Sequence, residues 1–297
     1  MLGHALALGL LALDCLARVL RIQVSVLAAG SRLSFIDALR LNLYGEAAAQ
    51  LTPNRLGAEP ARFFGLAEAR VRPVAGLVAI GVEVAAEWPM FALMAGALAV
   101  HFVPDWGAAA SAWIRRHRAA DLLALQGLIL VVLIAIYLLQ RFARAGGIRH
   151  RVRRQWRVAL AHVRRARWWV LLVGAGCTAV SFVSRALVLP ALVYGHAVEG
   201  AAMPGFGVMF FGSLALLHVV LVVPLPSGGG GVEVAFLSGF AGDFGTGHQV
   251  VMLLLWRFYT GILLAVLGAY VLVRRHGGHA ARELLAAGWF KKRAPSP

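Results

Sequence analysis

Eight charged side chains stand beside or within apolar runs of this 297-residue chain: Arg55, Arg62, Arg185 and Arg257, with Glu59, Glu83, Glu87 and Glu233. A guanidinium in such a place suits a phosphate or carboxylate, which it binds through two parallel hydrogen bonds. Two breaks in the apolar pattern accompany these residues. The second break holds Gly228, Gly229, Gly230 and Gly231, and glycine lets backbone approach a ligand closely. Half-helices starting after Gly57 and after Gly231 would direct N–H groups at an anion. Glu59 and Glu233 admit two readings. They either cap or pair locally, with Arg62 and Arg257, to hold a broken helix, or belong to the polar site itself. Glu83 and Arg257 each follow a break glutamate by 24 residues, which favours an ion pair between them. Glu87 lies one turn beyond Glu83, so two carboxylates share a helix face and one of them can carry a proton.

Other chemistries find no support. The ten histidines include no HExxH or similar ligand spacing, so neither a metal nor a cofactor is expected. The glycine run follows an apolar helix rather than a strand, unlike a nucleotide-binding loop. No Ser/His/Asp arrangement is readable, and catalysis is not expected. Cys15 and Cys177 lie in apolar runs as small hydrophobes rather than as a disulfide or ligand pair. No nucleic-acid recognition motif accompanies the basic charge.

The elements that position these residues are membrane helices. Hydrophobic residues make up 60% of the chain and charged residues only 14%, with a mean hydropathy of +0.77. A soluble domain is nearer half apolar and one quarter charged. The apolar residues fall in blocks of roughly 20, enough to cross about 30 Å of hydrocarbon. Spans are predicted at about 4–29, 73–102, 119–139, 168–195 and 249–273. In the first, Asp14 and Arg18 can pair, while Arg18 and Arg21 can snorkel to an interface. No cleavable signal peptide is evident. The formal net charge is +16. Ten arginines and no acid fill residues 141–167, and the tail at 274–297 is also basic. The loop is either a plain positive-inside loop or, with Val152, Trp156, Leu160 and Val163 at helical spacing, an amphipathic helix on an anionic leaflet.

Both basic segments belong on the cytoplasmic side, so an even number of crossings separates them. Three apolar stretches lie between. The parity is satisfied if 202–240 enters and leaves by one face as a broken helix pair, a geometry tolerated where it lines a cavity. The segment at 35–71, broken around Pro53–Pro60, reads the same way. The expected architecture is therefore an all-α polytopic transmembrane bundle, one domain over 1–297. Its half-repeats span about 4–102 and 168–273. A linking helix at 119–139 inverts their orientation, as in many transporters.

The two breaks resemble a known family. Pro53-Asn54-Arg55-Leu56-Gly57-Ala58-Glu59-Pro60-Ala61-Arg62 is similar to the P-G-R-x-G-G-E-x-x-R element of the lysylphosphatidylglycerol synthase transmembrane-domain, or flippase-like, family. Pro224 through Glu233 is similar to its P-x-P-G-G-x-G-x-x-E element. Asn54, Ala58 and Ser227 depart from the pattern, while the spacing is kept. The resemblance implies translocation of a phospholipid or polyprenyl-linked headgroup between leaflets of the cell (inner) membrane. Within the two motifs it points to Arg55, Gly57, Glu59, Arg62, Ser227, Gly228, Gly230 and Glu233 as headgroup-binding residues, to which bidentate guanidinium chemistry adds Arg185 and Arg257, with an anionic phospholipid or lipid-linked substrate as partner. The chain ends in a short tail where some members carry an aminoacyltransferase domain, so lipid aminoacylation is not expected. The first half lacks a counterpart of span 119–139, which implies a missing leading helix. The competing readings are a membrane-embedded lipid or glycolipid transferase and a non-transporting scaffold for a lipid-synthesis enzyme.

Overall fold

A computed structural model describes residues 1–102, 168–195, 204–223, 225–241, 243–244 and 248–286, the last nine by backbone alone. The predicted span at 119–139, the 141–167 loop and the end of the tail lie outside the described residues. Those described are helical, with no strand among them. Helix α1 is Leu2–Ala28, α2 Phe35–Leu51, α3 Ala58–Glu68 and α4 Pro73–Phe102. Beyond the gap come α5 Trp168–Ala186, α6 Val188–Gly195, α7 Phe206–Val222, α8 Gly231–Gly239, α9 His248–Arg257 and α10 Leu263–Ala286.

Among the described residues, three stretches are long and apolar enough to cross a membrane: Pro73–Phe102, Trp168–Gly195 and His248–Gly277. Each departs from a plain span in one place. Pro89 lies inside α4. The second stretch is interrupted at Leu187, which separates α5 from α6. The third contains a π-helical turn, Phe258–Ile262, directly after Arg257. Helix α1 is equally long but carries Asp14, Arg18 and Arg21. The outer faces expose large apolar side chains such as Leu93, Val100, Leu172 and Val266.

Helices α2 and α3 form a hairpin. The Ser34 hydroxyl caps α2 by accepting from the Asp37 N–H at 3.1 Å. The helix stops at Thr52, whose extended backbone (φ −115°, ψ 145°) is what a following proline imposes. Asn54 and Arg55 then take left-handed backbone, φ 50° and 59°, a conformation of about 1–3 kcal/mol cost for a non-glycine residue. The Thr52 hydroxyl ties the turn together, donating to Ala48 O and accepting from the Gly57 N–H, both at 2.8 Å. Helix α3 returns along α2, with Arg62 against Gly45 and Leu41 against Gly65.

Helices α7 and α8 form a second hairpin with a similar turn. Ser227 and Gly228 take φ 50° and 66°. Gly231 packs against Val223, and Gly212 lies against the Phe240 ring. The tips of the two hairpins meet in an antiparallel bridge between Pro53 and Pro226.

Apolar packing is divided. One cluster joins α1, α3, α4 and α5 through Val19, Ile22, Leu66, Val82 and Val170. Another joins α6 to α9 through Leu192, Met209, Phe236 and Trp256. A small third one, Leu11, Leu43 and Leu264, joins α1, α2 and α10. Small residues permit the tightest crossings: Gly268 sits against the Leu43 carbonyl, and Gly195 against the backbone of Gly3.

Candidate functional site

Where the hairpin tips converge on α1, α4, α5 and α9, the interior is polar. The centre is Glu46 on α2, fully buried. Its Oε1 accepts from Arg55 Nη2 at 2.8 Å and also from Arg18 Nη1. Its Oε2 lies 3.4 Å from Arg185 Nη2. Asp14, also fully buried, is the second acceptor. It takes Arg18 Nε at 2.9 Å, Arg185 Nε at 2.8 Å and the Ser181 hydroxyl. Two carboxylates thus hold three guanidinium groups from α1, the first break and α5. A buried ion is tolerated only with such multiple compensation.

The flanks repeat the pattern. Arg62 on α3 donates to Glu83 at 3.1 Å and to Glu59 at 3.2 Å. Arg21 on α1 donates to Thr178 at 3.0 Å and stands 3.6 Å from Glu87. Arg257 on α9 donates to the Ser227 carbonyl at 2.9 Å and pairs with Glu233 at 2.6 Å. The expected Glu83–Arg257 pair is not made, because each partner finds an opposite charge within its own half. Arg18 and Arg21 do not snorkel: Arg21 is 3% exposed and both point inward.

A cavity of about 750 Å³ opens beside this network, within the size range of small-ligand sites, roughly 300–1,000 Å³. Among the described residues its wall carries six arginines (Arg18, Arg21, Arg55, Arg62, Arg185 and Arg257) and two carboxylates, Glu59 and Glu87. Asp14, Glu46 and Glu83 stand behind the arginines and orient them. Arg62 Nε, Arg21 Nε and Arg257 Nε are buried and make no hydrogen bond among the described residues. The rest of the wall is mainly apolar, with Trp88, Phe91, Phe182 and Trp256. The chamber therefore combines preoriented cationic forks with an aromatic lining, an arrangement that can hold an oxyanion attached to an apolar body.

Of the residues singled out in the sequence, Arg55, Glu59, Arg62, Glu87, Arg185, Ser227 and Arg257 reach this wall. Gly57, Gly228, Gly230, Glu83 and Glu233 do not. The Gly57 and Ala58 N–H groups already donate to Thr52 Oγ1 and Arg55 O, and Pro60 has none, so α3 offers an anion little at its start. Gly228 and Gly231 permit close approach of α7 through Val220 and Val223, rather than of a ligand. Asp14, Arg18, Arg21, Glu46, Ser181 and Trp88 escaped the sequence reading as site residues. The polarity of α2 was the available signal for Glu46, because a buried carboxylate there demands cationic partners. Cys15 and Cys177 are free and half-buried. No three His, Cys, Asp or Glu side chains converge as a metal site among the described residues.

Residues 3–268 match the profile of a protein family described as the lysylphosphatidylglycerol synthase TM region. No curated protein matches the chain.

Proposed function

The chain belongs to the lysylphosphatidylglycerol synthase transmembrane-region family, and from that we propose that it carries a lipid headgroup between leaflets through the arginine-walled chamber. The observation that supports this best is the position of the chamber, at the meeting point of two helical hairpins whose tips touch at Pro53 and Pro226. A charged headgroup crosses hydrocarbon only along a polar route. In this reading the hairpins are re-entrant, the halves about 4–102 and 168–273 are an inverted repeat, and rocking of one half against the other exposes the chamber alternately. The 141–167 loop and the tail face the cytoplasm. The protein acts as a carrier, not a catalyst, of an anionic phospholipid or polyprenyl-linked lipid in the cell membrane. Association with the enzyme that makes this lipid is part of the same proposal.

The test is translocation of labelled phosphatidylglycerol, phosphatidylethanolamine and a polyprenyl phosphate in proteoliposomes, against protein-free vesicles. Arg62→Ala removes a charge-assisted contact of about 1.5–3 kcal/mol. It should slow the anionic lipids by roughly tenfold or more, with a smaller effect on phosphatidylethanolamine. Folded wild-type protein that moves none of the three above background would favour a scaffold role.

A further inference from the structure

The chamber wall looks strongly cationic, yet its charges are balanced. Each of its six arginines already has a carboxylate: Arg18, Arg55 and Arg185 share Glu46 and Asp14, Arg21 has Glu87, Arg62 has Glu59 and Glu83, and Arg257 has Glu233. Six guanidinium groups face six carboxylates. An arriving phosphate therefore competes with the resident carboxylates for the same guanidinium groups, and the carboxylate that loses its cation is left beside a new negative charge in a medium that screens poorly.

Glu87 is the carboxylate held most loosely. Asp14, Glu46 and Glu83 are at most 6% exposed and are hydrogen-bonded to arginine, whereas the Glu87 side chain is 38% exposed and its ion pair with Arg21 is 3.6 Å long, beyond hydrogen-bond reach. Glu59 and Glu233 are equally exposed, at 38% and 39%, but sit at 3.2 and 2.6 Å from their arginines. Glu87 also lines the chamber, next to Trp88.

We infer that Glu87 is a proton-binding site and that an anionic headgroup enters the chamber together with one proton. The inference rests on the headgroup-carrying reading above. The phosphate takes over Arg21, and Glu87 accepts a proton from water to become a neutral carboxylic acid, so the occupied chamber keeps the charge of the empty one. The cations that share the wall keep Glu87 ionised while the chamber is empty, so its proton arrives only when the phosphate engages them. Arg18 and Arg21 of α1, Arg55 of the first break and Arg62 of α3 face Glu87, and Glu59 of α3, Arg185 of α5 and Arg257 of α9 share the same wall. Glu83 lies one turn away on α4 itself, committed to Arg62. His218 of α7 stacks on Phe91, a turn further along α4, with ring centroids 4.3 Å apart. Among the carboxylates here, Glu87 alone is both on the wall and outside hydrogen-bond distance of its cation.

The test is calorimetric binding of dihexanoyl-phosphatidylglycerol to the full chain in nanodiscs, in buffers of different ionisation enthalpy, from pH 6 to 9. Binding should take up close to one proton, and affinity should weaken about tenfold per pH unit across the range where uptake is seen. Dihexanoyl-phosphatidylethanolamine brings its own cation and should bind with no uptake. Glu87→Gln, checked for an unchanged melting temperature, should bind phosphatidylglycerol with no uptake and a flat pH profile. Glu83→Gln should keep the uptake. Wild-type binding of phosphatidylglycerol without proton uptake would overturn the proposal alone, as would uptake that survives in Glu87→Gln or equal uptake with the zwitterion. Absence of binding by either lipid would overturn it together with the reading on which it rests.

Discussion

At the scale of single residues, Glu46 carries the greatest electrostatic burden. Removing one member of a buried ion pair costs about 3–5 kcal/mol, because its partner is left uncompensated. Glu46→Gln withdraws charge from Arg18, Arg55 and Arg185 at once, so thermal unfolding in detergent should show a loss at least that large. A double-mutant cycle distinguishes the pairs that exist from those that do not. Glu83→Gln with Arg62→Gln should show coupling of about 0.5–3 kcal/mol, while Glu83→Gln with Arg257→Gln should be additive to within about 0.5 kcal/mol. The sequence supports finding Arg62, Arg185 and Arg257 as inward-facing, because a cation in an apolar run has nowhere else to go. Their partners were less legible. Glu83 and Arg257 match in spacing from their break glutamates, but spacing along the chain says nothing of which carboxylate a long guanidinium side chain meets first. Arg62 reaches Glu83 across the α3–α4 contact, a tertiary closeness that no linear pattern encodes.

At the scale of elements, the two breaks solve one geometric problem with different residues. The second places Ser227, Gly228 and Gly230 at left-handed positions, and the first uses Asn54 and Arg55 with no glycine among them. Gly228→Ala meets two obstacles, a left-handed φ of 66° and the Val220 Cα only 2.9 Å from the added methyl. It should destabilise by roughly 1–3 kcal/mol, read as a lower unfolding midpoint. Asn54→Gly should do the reverse by a few tenths of a kcal/mol to about 1. Replacing Gly230 adds only backbone strain, since nothing lies within 4 Å of its Cβ position, and should be the milder of the two glycine changes. Helix boundaries were readable here because proline and glycine punctuate the chain. Thr52 and Gly205 bound their helices about where the pattern breaks. The π-helical turn after Arg257 was not readable, since it depends on one extra residue per turn and leaves the apolar pattern of the span intact.

At the scale of the whole molecule, the number of crossings between the two basic segments fixes the orientation. Cysteines introduced at Ala145 and at Ala294, after replacement of Cys15 and Cys177, should both be labelled from the cytoplasmic side. Opposite labelling would mean that 204–240 crosses the membrane an odd number of times. The bundle is held from within by charge and from without by lipid-facing apolar surface, so high salt should affect it little. Its helices were legible as elements from length and composition. Their assembly was not, because the polar chamber is built from segments spread along the chain from α1 to the π-helical turn that meet only in space.

That dispersal has a consequence for synthesis. Helix α2 leaves the ribosome early, but much of its packing surface is made last: Leu43 lies against Gly268 and Leu264, and Gln50 against Gly261. Until α10 has been translated, the flank of α2 that bears these residues meets Leu11 of α1 but lacks its α10 cover. The first hairpin is therefore among the last pieces to be seated, although it is nearly the first to be made. A ribosome stalled before residue 258 should leave a cysteine at Leu43 open to a water-borne reagent, and release of the full chain should close it.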